Sequence, residues 1–345
     1  MLNRRQFIKA GSLAATGALV STTSRANPSR GPILLAQGSL DKVTYGTNWF
    51  AQAEHGGFYQ GVATGIYKEY GLDVTVKMGG PQVNGSQLLI GNAIDFFMGS
   101  GLSQVSAVAE GLPLVTVAAS FQKDPQVLLA HPGQGIETME DLKGRKILIS
   151  SGGKITFWPF LKARFGFTDD QVLPYNFSSG PFLQDKTLVQ QGYLTSETYS
   201  IRKEGGFDPV VLLIADYGYT PYATTIQTTN RLVTEKSDLV QRFVEASIKG
   251  WYSYFEDPAP ANVLIKQDNP EMTDDLLAFG IEKMKEYGIV FGGDAEKLGV
   301  GAMSDARWES LYTSMVQFGL VKADVDYKKA YTLQYINKGA DFYQA

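Results

Sequence analysis

Residues 43–78, VTYGTNWFAQAEHGGFYQGVATGIYKEYGLDVTVKM, place a strand, a helix and a second strand in direct succession. Positions 43–48 alternate apolar and polar side chains, the period of a half-buried strand. From 56 to 70 the period changes: Phe58, Val62, Ile66 and Tyr70 recur every four positions and share one face of a helix. Gly71 ends that helix, 72–78 reads as a strand again, and Gly79-Gly80-Pro81 breaks it. The same alternation continues outward, with a helix at 82–91, a strand at 93–98, a helix at 102–110 and a strand at 114–121. Strands that alternate with helices predict an α/β layer on a largely parallel sheet.

A second alternation follows. Strands are predicted at 127–131, 145–150, 171–175 and 209–214, a short element at 188–193, and helices at 138–142, 155–165 and 196–204. Beyond 222–228 the pattern is mostly helical: Leu239, Phe243, Ala246 and Trp251 mark one face of 235–255, and amphipathic helices follow at 272–287 and 304–318. The fold class is α/β, with two α/β lobes and a helical tail that returns to the first. Lobe 1 is expected at 41–125 plus 226–345 and lobe 2 at 126–225. Two crossings, near 122–131 and 220–228, would join them across a cleft, the usual seat of a ligand bound by hinge closure.

Composition narrows the function. The chain carries formal charge −4; without the four cations and no acids of residues 1–26 it has 27 Lys+Arg against 35 Asp+Glu. An acidic chain with no basic block excludes a nucleic-acid binder. With no Cys there are no disulfides, thiolate metal sites or thiol nucleophiles. Two histidines, His55 and His131, leave little for a zinc site or a Ser-His-Asp triad. No metal and no cofactor is expected, and the default state is a monomer.

The first 26 residues read as an export leader. Arg4-Arg5 precedes Phe7, a modest apolar stretch runs over 10–20, and Ser24-Arg25-Ala26 offers a small-x-small cleavage site. The pattern is of the twin-arginine type. About eleven apolar residues fall short of the ~20 that span a bilayer. Residues 27–40 read as a flexible lead-in, and the expected product is soluble and periplasmic.

Ligands of α/β sheets sit beyond the carboxyl ends of the strands. That rule selects Trp49, Phe50 and His55 after the first strand, Ser100 after the third and Phe121 after the fourth. In the second unit it selects Gly153 and Phe157 beside the Ser150–Gly153 loop, Glu197, and Asp216 with Tyr217. Each has an ordinary structural reading: core packing for Trp49, a cap or packing role for His55, a tight turn for Gly153, a helix-start acid for Glu197, a hinge position for Asp216 and Tyr217. Gly152-Gly153 lacks the spacing of a phosphate loop or dinucleotide fingerprint. The set is aromatic, hydroxyl and carboxylate, with almost no Arg or Lys. Aromatic faces stack on a flat ring and carboxylates accept from its amino groups, whereas an anionic ligand more often meets an Arg fork. Glycine-rich helix N-termini can also bind anions, so both classes stay open.

Asn48-Trp49, then His55, then the run Gly65–Asp73 (GIYKEYGLD) resembles the opening of a solute-binding family. Gly79-Gly80-Pro81, Gly91-Asn92-Ala93-Ile94-Asp95, the run 141–147 (DLKGRKI) and the run 191–197 (QGYLTSE) continue the resemblance. The family joins thiamine-pyrimidine-precursor synthases with the nitrate, taurine and sulfonate binding proteins of ABC transporters. The resemblance implies a type II periplasmic-binding-protein fold, a small-molecule ligand and a membrane permease as partner. It implies Trp49 stacked on the ring, Glu197 on polar ring substituents, and a flat heterocycle such as a thiamine pyrimidine precursor. The same fold binding a sulfonate, nitrate, bicarbonate or aromatic carboxylate is the first alternative, and a ligand sensor docking on a receptor is another. The synthase branch is an enzyme whose reactive lysine and histidine align roughly with Gly99 and Ser103, and whose cysteine-rich segment is missing here. The expectation is therefore a binding protein and not an enzyme.

Overall fold

A computed structural model describes residues 39–80, 82–176 and 178–344. The leader at 1–26, most of the lead-in, Pro81 and Phe177 lie outside the described residues.

Among the described residues ten strands form two five-stranded sheets. The first contains β1 (Asp41–Gly46), β2 (Leu72–Lys77), β3 (Phe96–Gly99), β4 (Leu114–Phe121) and, late in the chain, β10 (Ala223–Thr229). The second contains β5 (Gln126–Ala130), β6 (Ile147–Ile149), β7 (Val172–Pro174), β8 (Val189–Tyr193) and β9 (Val210–Leu213). Their orders are β2-β1-β3-β10-β4 and β7-β6-β8-β5-β9. β1 runs parallel to β2 and β3, and β6 parallel to β7 and β8, whereas β10 and β5 are antiparallel to their neighbours. The sheets are thus mixed rather than largely parallel, for one reason: β5 and β10 are the strands that arrive from the other lobe, and each enters its new sheet reversed. β4 and β5 are buried along their whole length, in keeping with their mainly apolar sequences.

The chain crosses between sheets at 122–125 and at 214–222. Residues 223–225, expected in the second lobe, are strand residues of the first sheet, where Ala223 pairs with Phe121 and Thr225 with Ala119.

The helical tail returns to the first sheet. The helix Ser237–Glu256 lays Phe243, Val244 and Trp251 into a core with Tyr45, Phe58, Phe96 and Phe121. Tyr45 stacks on Phe58 at 4.2 Å and Phe96 on Phe243 at 4.1 Å. This helix lies close against Gly56–Ala63 because glycines face each other. A Cβ on Gly57 would sit 2.4 Å from the Trp251 ring, and one on Gly250 would sit 2.2 Å from the Gly57 carbonyl oxygen. That contact fixes the turn carrying Trp49 to His55. The second lobe has its own core around Val127, Leu129, Leu148, Phe182 and Ile201.

Local differences have local causes. The helix expected over 56–70 divides into Gly56–Ala63 and Ile66–Glu69, because Gly65 takes a left-handed φ of 83°. The one expected over 155–165 begins at Ser151 and is interrupted at Thr156. An unpredicted helix, Ala259–Asp268, starts with a proline in its first turn. Among the described residues no helix is long and apolar enough to cross a membrane.

Candidate functional site

Between the sheets lies a cleft of about 460 Å³ walled by both lobes. Lobe 1 contributes the Trp49–His55 turn, the ends of β3 and β10, and the start of the helix Gly101–Ala109. Lobe 2 contributes the Ser150–Phe157 loop and helix start, the end of β8, and Glu197. Asp124, on the first crossing, stands between them.

Six of the ten predicted residues line this cleft: Trp49, His55, Ser100, Gly153, Phe157 and Glu197. Trp49 also packs against the apolar cluster of the opposite lobe, so it touches both walls. His55 is fully buried, and neither ring nitrogen has a hydrogen-bond partner. Burial pushes its pKa down to about 3, so the imidazole is neutral. Gly153 is required by space, since a Cβ there would meet Gln191 Oε1 at 2.7 Å and the Phe157 ring at 2.9 Å. Glu197 opens the helix Glu197–Gly205 and accepts from Tyr193 N at 2.7 Å, Ser196 Oγ at 2.6 Å and the Tyr175 hydroxyl at 3.4 Å.

The other four do not line it. Phe50 lies edge-on to Trp49 at 6.4 Å, outside the wall. Phe121 is wholly buried and turns into the lobe 1 core, 5.6 Å from Trp251. Asp216 is exposed and ion-paired to Lys123 at 2.9 Å. Tyr217 packs edge-on to Phe165 at 5.9 Å. β4 and β9 are edge strands of their sheets, so their carboxyl ends fall at the margin of the cleft rather than over its floor.

Sequence reasoning missed Asp124, Gln126, Thr224 and Gln227, which all line the cleft. Thr224 is unusual twice over: its φ is 45°, rare for a β-branched residue, and its buried hydroxyl has no partner. For Gln126 and Thr224 the signal is topological; Gln227 lies further along β10, and Asp124 belongs to no strand. A strand entering a sheet reversed brings its amino end, not its carboxyl end, to the ligand side.

The electrostatics of the cleft are one-sided. Asp124 and Glu197 line it; among the described residues no Lys or Arg does. Burial raises Asp124 to about 6. Glu54, beside His55 in the turn Ala53–His55, is fully buried and pushed up to about 7 by burial, with the charge of Glu197 adding to the effect. Thr195 Oγ1, in the opposite lobe, donates to Glu54 Oε1. Three helix starts at the cleft wall are already capped by their own side chains: Asn84 accepts from Gln87 N, Ser100 from Ser103 N, and Ser150 from Gly153 N. Among the described residues no cluster of His, Asp or Glu could hold a metal.

A second recess, about 610 Å³, shares Asp124 with the cleft and is lined by parts of both crossings and by Arg307. Arg307, on the helix Asp305–Gln317, donates to the carbonyl and side-chain oxygens of Gln122 on the first crossing. It also donates to the carbonyls of Thr220 and Pro221 on the second, both at 3.4 Å.

Comparison with known proteins agrees with this architecture. Residues 52–261 match the family described as NMT1/THI5 like. The riboflavin-binding protein RibY of Chloroflexus aurantiacus is 25% identical over 336 residues, covering 95% of both chains. The formylaminopyrimidine-binding protein of Halalkalibacterium halodurans is 25% identical over 274 residues, covering 75% of this chain and 82% of its own. The periplasmic aliphatic sulphonate binding protein SsuA of Escherichia coli superimposes with a TM-score of 0.61 at 14% identity, covering 84% of this chain and 92% of that one. Two α/β lobes, two crossings, a cleft between them and a family match over most of the chain place the protein in the NMT1/THI5-like family, with the fold of periplasmic binding proteins.

Proposed function

We propose that the protein is the substrate-binding component of an ABC importer and captures an uncharged, flat nitrogen heterocycle of the flavin or aminopyrimidine class. The observation that carries this reading is the chemistry of the cleft wall: Trp49 and Phe157, two carboxylates, a neutral His55 and, among the described residues, no Lys or Arg. A sulfonate, nitrate or carboxylate would meet Asp124 and Glu197 with no cation to offset them. Three of the helix starts around it already have a side-chain acceptor on one N–H each. The cleft, at about 460 Å³, falls within the range of roughly 300–1,000 Å³ that holds drug-sized ligands. Two relatives named for riboflavin and formylaminopyrimidine support the heterocycle class. Gly99 and Ser103, at the positions of the synthase's reactive pair, supply neither lysine nor histidine, and Ser103 Oγ is occupied in a capping box with Ser100. No covalent step follows from such a wall, and the work of the protein is binding. The leader-like first 26 residues support export to the periplasm, where a monomer would hand its ligand to a membrane permease.

The test is a thermal-shift panel on the purified chain with riboflavin, 4-amino-5-hydroxymethyl-2-methylpyrimidine, taurine, nitrate and benzoate, beside mass spectrometry of any co-purified small molecule. A ligand at 100 times its Kd adds about 2.7 kcal/mol. Stabilisation by a heterocycle alone is the expected result. Stabilisation by an anion alone refutes the reading.

A further inference from the structure

We propose that Asp124 is the ligand's anchor on the hinge, its open carboxylate oxygen accepting a hydrogen bond from an N–H donor of the heterocycle. The proposal rests on the heterocycle reading of the cleft and names the residue that selects within that class.

Asp124 lies on the crossing 122–125 and is only 7% exposed, yet it forms part of the cleft wall. Its Oδ1 accepts from Gln126 N at 2.9 Å, which fixes the carboxylate plane. Among the described residues no donor reaches its Oδ2, and that oxygen is not sealed off from solvent. A buried carboxylate with one oxygen held and one open is a directional acceptor. Glu197 is not an equal rival, because three protein donors already converge on its two oxygens.

Among the described residues no cation pairs with Asp124. Lys123, next in the chain, pairs with Asp216, and Arg307 is taken up by Gln122 and the carbonyls of Thr220 and Pro221. The carboxylate is thus left for something that enters from outside. An anion is repelled there. A methyl or a ring C–H would leave the oxygen desolvated and unpaired. An amino or imide N–H fits.

The position also matters mechanically. A residue on a crossing sits near the axis about which two lobes turn, so it moves little between open and closed forms. A ligand bonded to Asp124 is therefore held before the walls meet. Contacts from Trp49 on one side and Gly153 and Phe157 on the other then complete around it.

The experiment uses the full chain and two substitutions, Asp124→Asn and Asp124→Ser, with calorimetric titration. The probes are riboflavin and 4-amino-5-hydroxymethyl-2-methylpyrimidine, each beside an analogue whose donor N–H is fully replaced by methyl: the N3-methyl flavin and the 4-dimethylamino pyrimidine. Asn keeps the acceptor for Gln126 N, and an unchanged melting temperature verifies the fold. For a heterocycle that binds the unsubstituted protein, D124N is expected to lose roughly tenfold or more, the scale of a hydrogen bond to a charged group. The methylated analogue is expected to bind weakly and to be indifferent to the substitution. Full affinity of D124N for the N–H ligand, or an equal loss for the methylated one, overturns the proposal while leaving the heterocycle reading intact. Failure of both parent heterocycles to bind the unsubstituted protein overturns that reading, and the proposal with it.

Discussion

Replacing Glu54 by Gln should stabilise the protein at alkaline pH. Glu54 is fully buried, no cation among the described residues lies against it, and its one side-chain donor there, Thr195 Oγ1, is not enough to hold the ionised form at its ordinary 4.5. Burial pushes it up to about 7. Below pH 4.5 the carboxyl is protonated both folded and unfolded, so it makes no difference to stability. Between 4.5 and about 7 the folded chain binds the extra proton, and stability falls as pH rises. Above 7 the loss levels off at about 3 kcal/mol, the gap between the two values at 1.36 kcal/mol for each pH unit. Gln keeps an acceptor for Thr195 and carries no charge. Urea unfolding of both proteins from pH 4.5 to 8.5 reads the effect directly. The curves should meet at the acid end, and E54Q should lead by about 3 kcal/mol at the alkaline end, a shift of several degrees in Tm. An E54Q protein with the same pH slope as its parent, or one less stable at pH 8.5, would refute the argument.

Three further outcomes follow from the same geometry. Trp49→Ala should weaken ligand binding by about 1–3 kcal/mol in a titration, since it removes a ring that touches both walls; undiminished affinity would remove Trp49 from the site. Gly153→Ala forces a methyl against Gln191 Oε1 and Phe157, so both affinity and melting temperature should drop, the latter by the equivalent of about 1–3 kcal/mol. Arg307→Ala strips the donors from Gln122, Thr220 and Pro221 and should destabilise by about 2–4 kcal/mol in chemical unfolding, with Arg307→Lys recovering less than half because an ammonium cannot reach both crossings as a fork does.

The parts of the fold legible in the sequence were those set by periodicity. β4 and β5 announce themselves as apolar runs, and Leu239, Phe243, Ala246 and Trp251 mark the buried face of Ser237–Glu256. Direction is not encoded in such patterns. A strand reads the same whichever way it enters a sheet, so nothing in 126–130 or 223–229 told that these two run against their neighbours. That gap accounts for the site residues gained and lost. Trp49, His55 and Ser100 follow strands of the parallel group, where the carboxyl-end rule holds. Gln126 and Thr224 sit at the amino ends of the reversed strands and escaped it, while Phe121 and Asp216 obeyed the rule on edge strands and proved irrelevant to the cleft. Asp124 belongs to no element, and only the crossing gives it meaning. The division of 56–70 at Gly65 was missed for a simpler reason: a single left-handed glycine leaves the i, i+4 spacing of its neighbours undisturbed.

The grip of Arg307 on both crossings has a kinematic consequence. Two fixed points define a line. One guanidinium, rooted in the helix Asp305–Gln317, holds Gln122 at one point and the Thr220–Pro221 pair at the other. The second lobe can swing about the line through them, but twist and slide are resisted. Its position then reduces to one angle, and a single pair of fluorescent labels, one on each lobe, would report the whole conformational state as one distance. Freed of that pin, the same pair of labels would see a broadened spread of distances, because a second coordinate would have entered the motion.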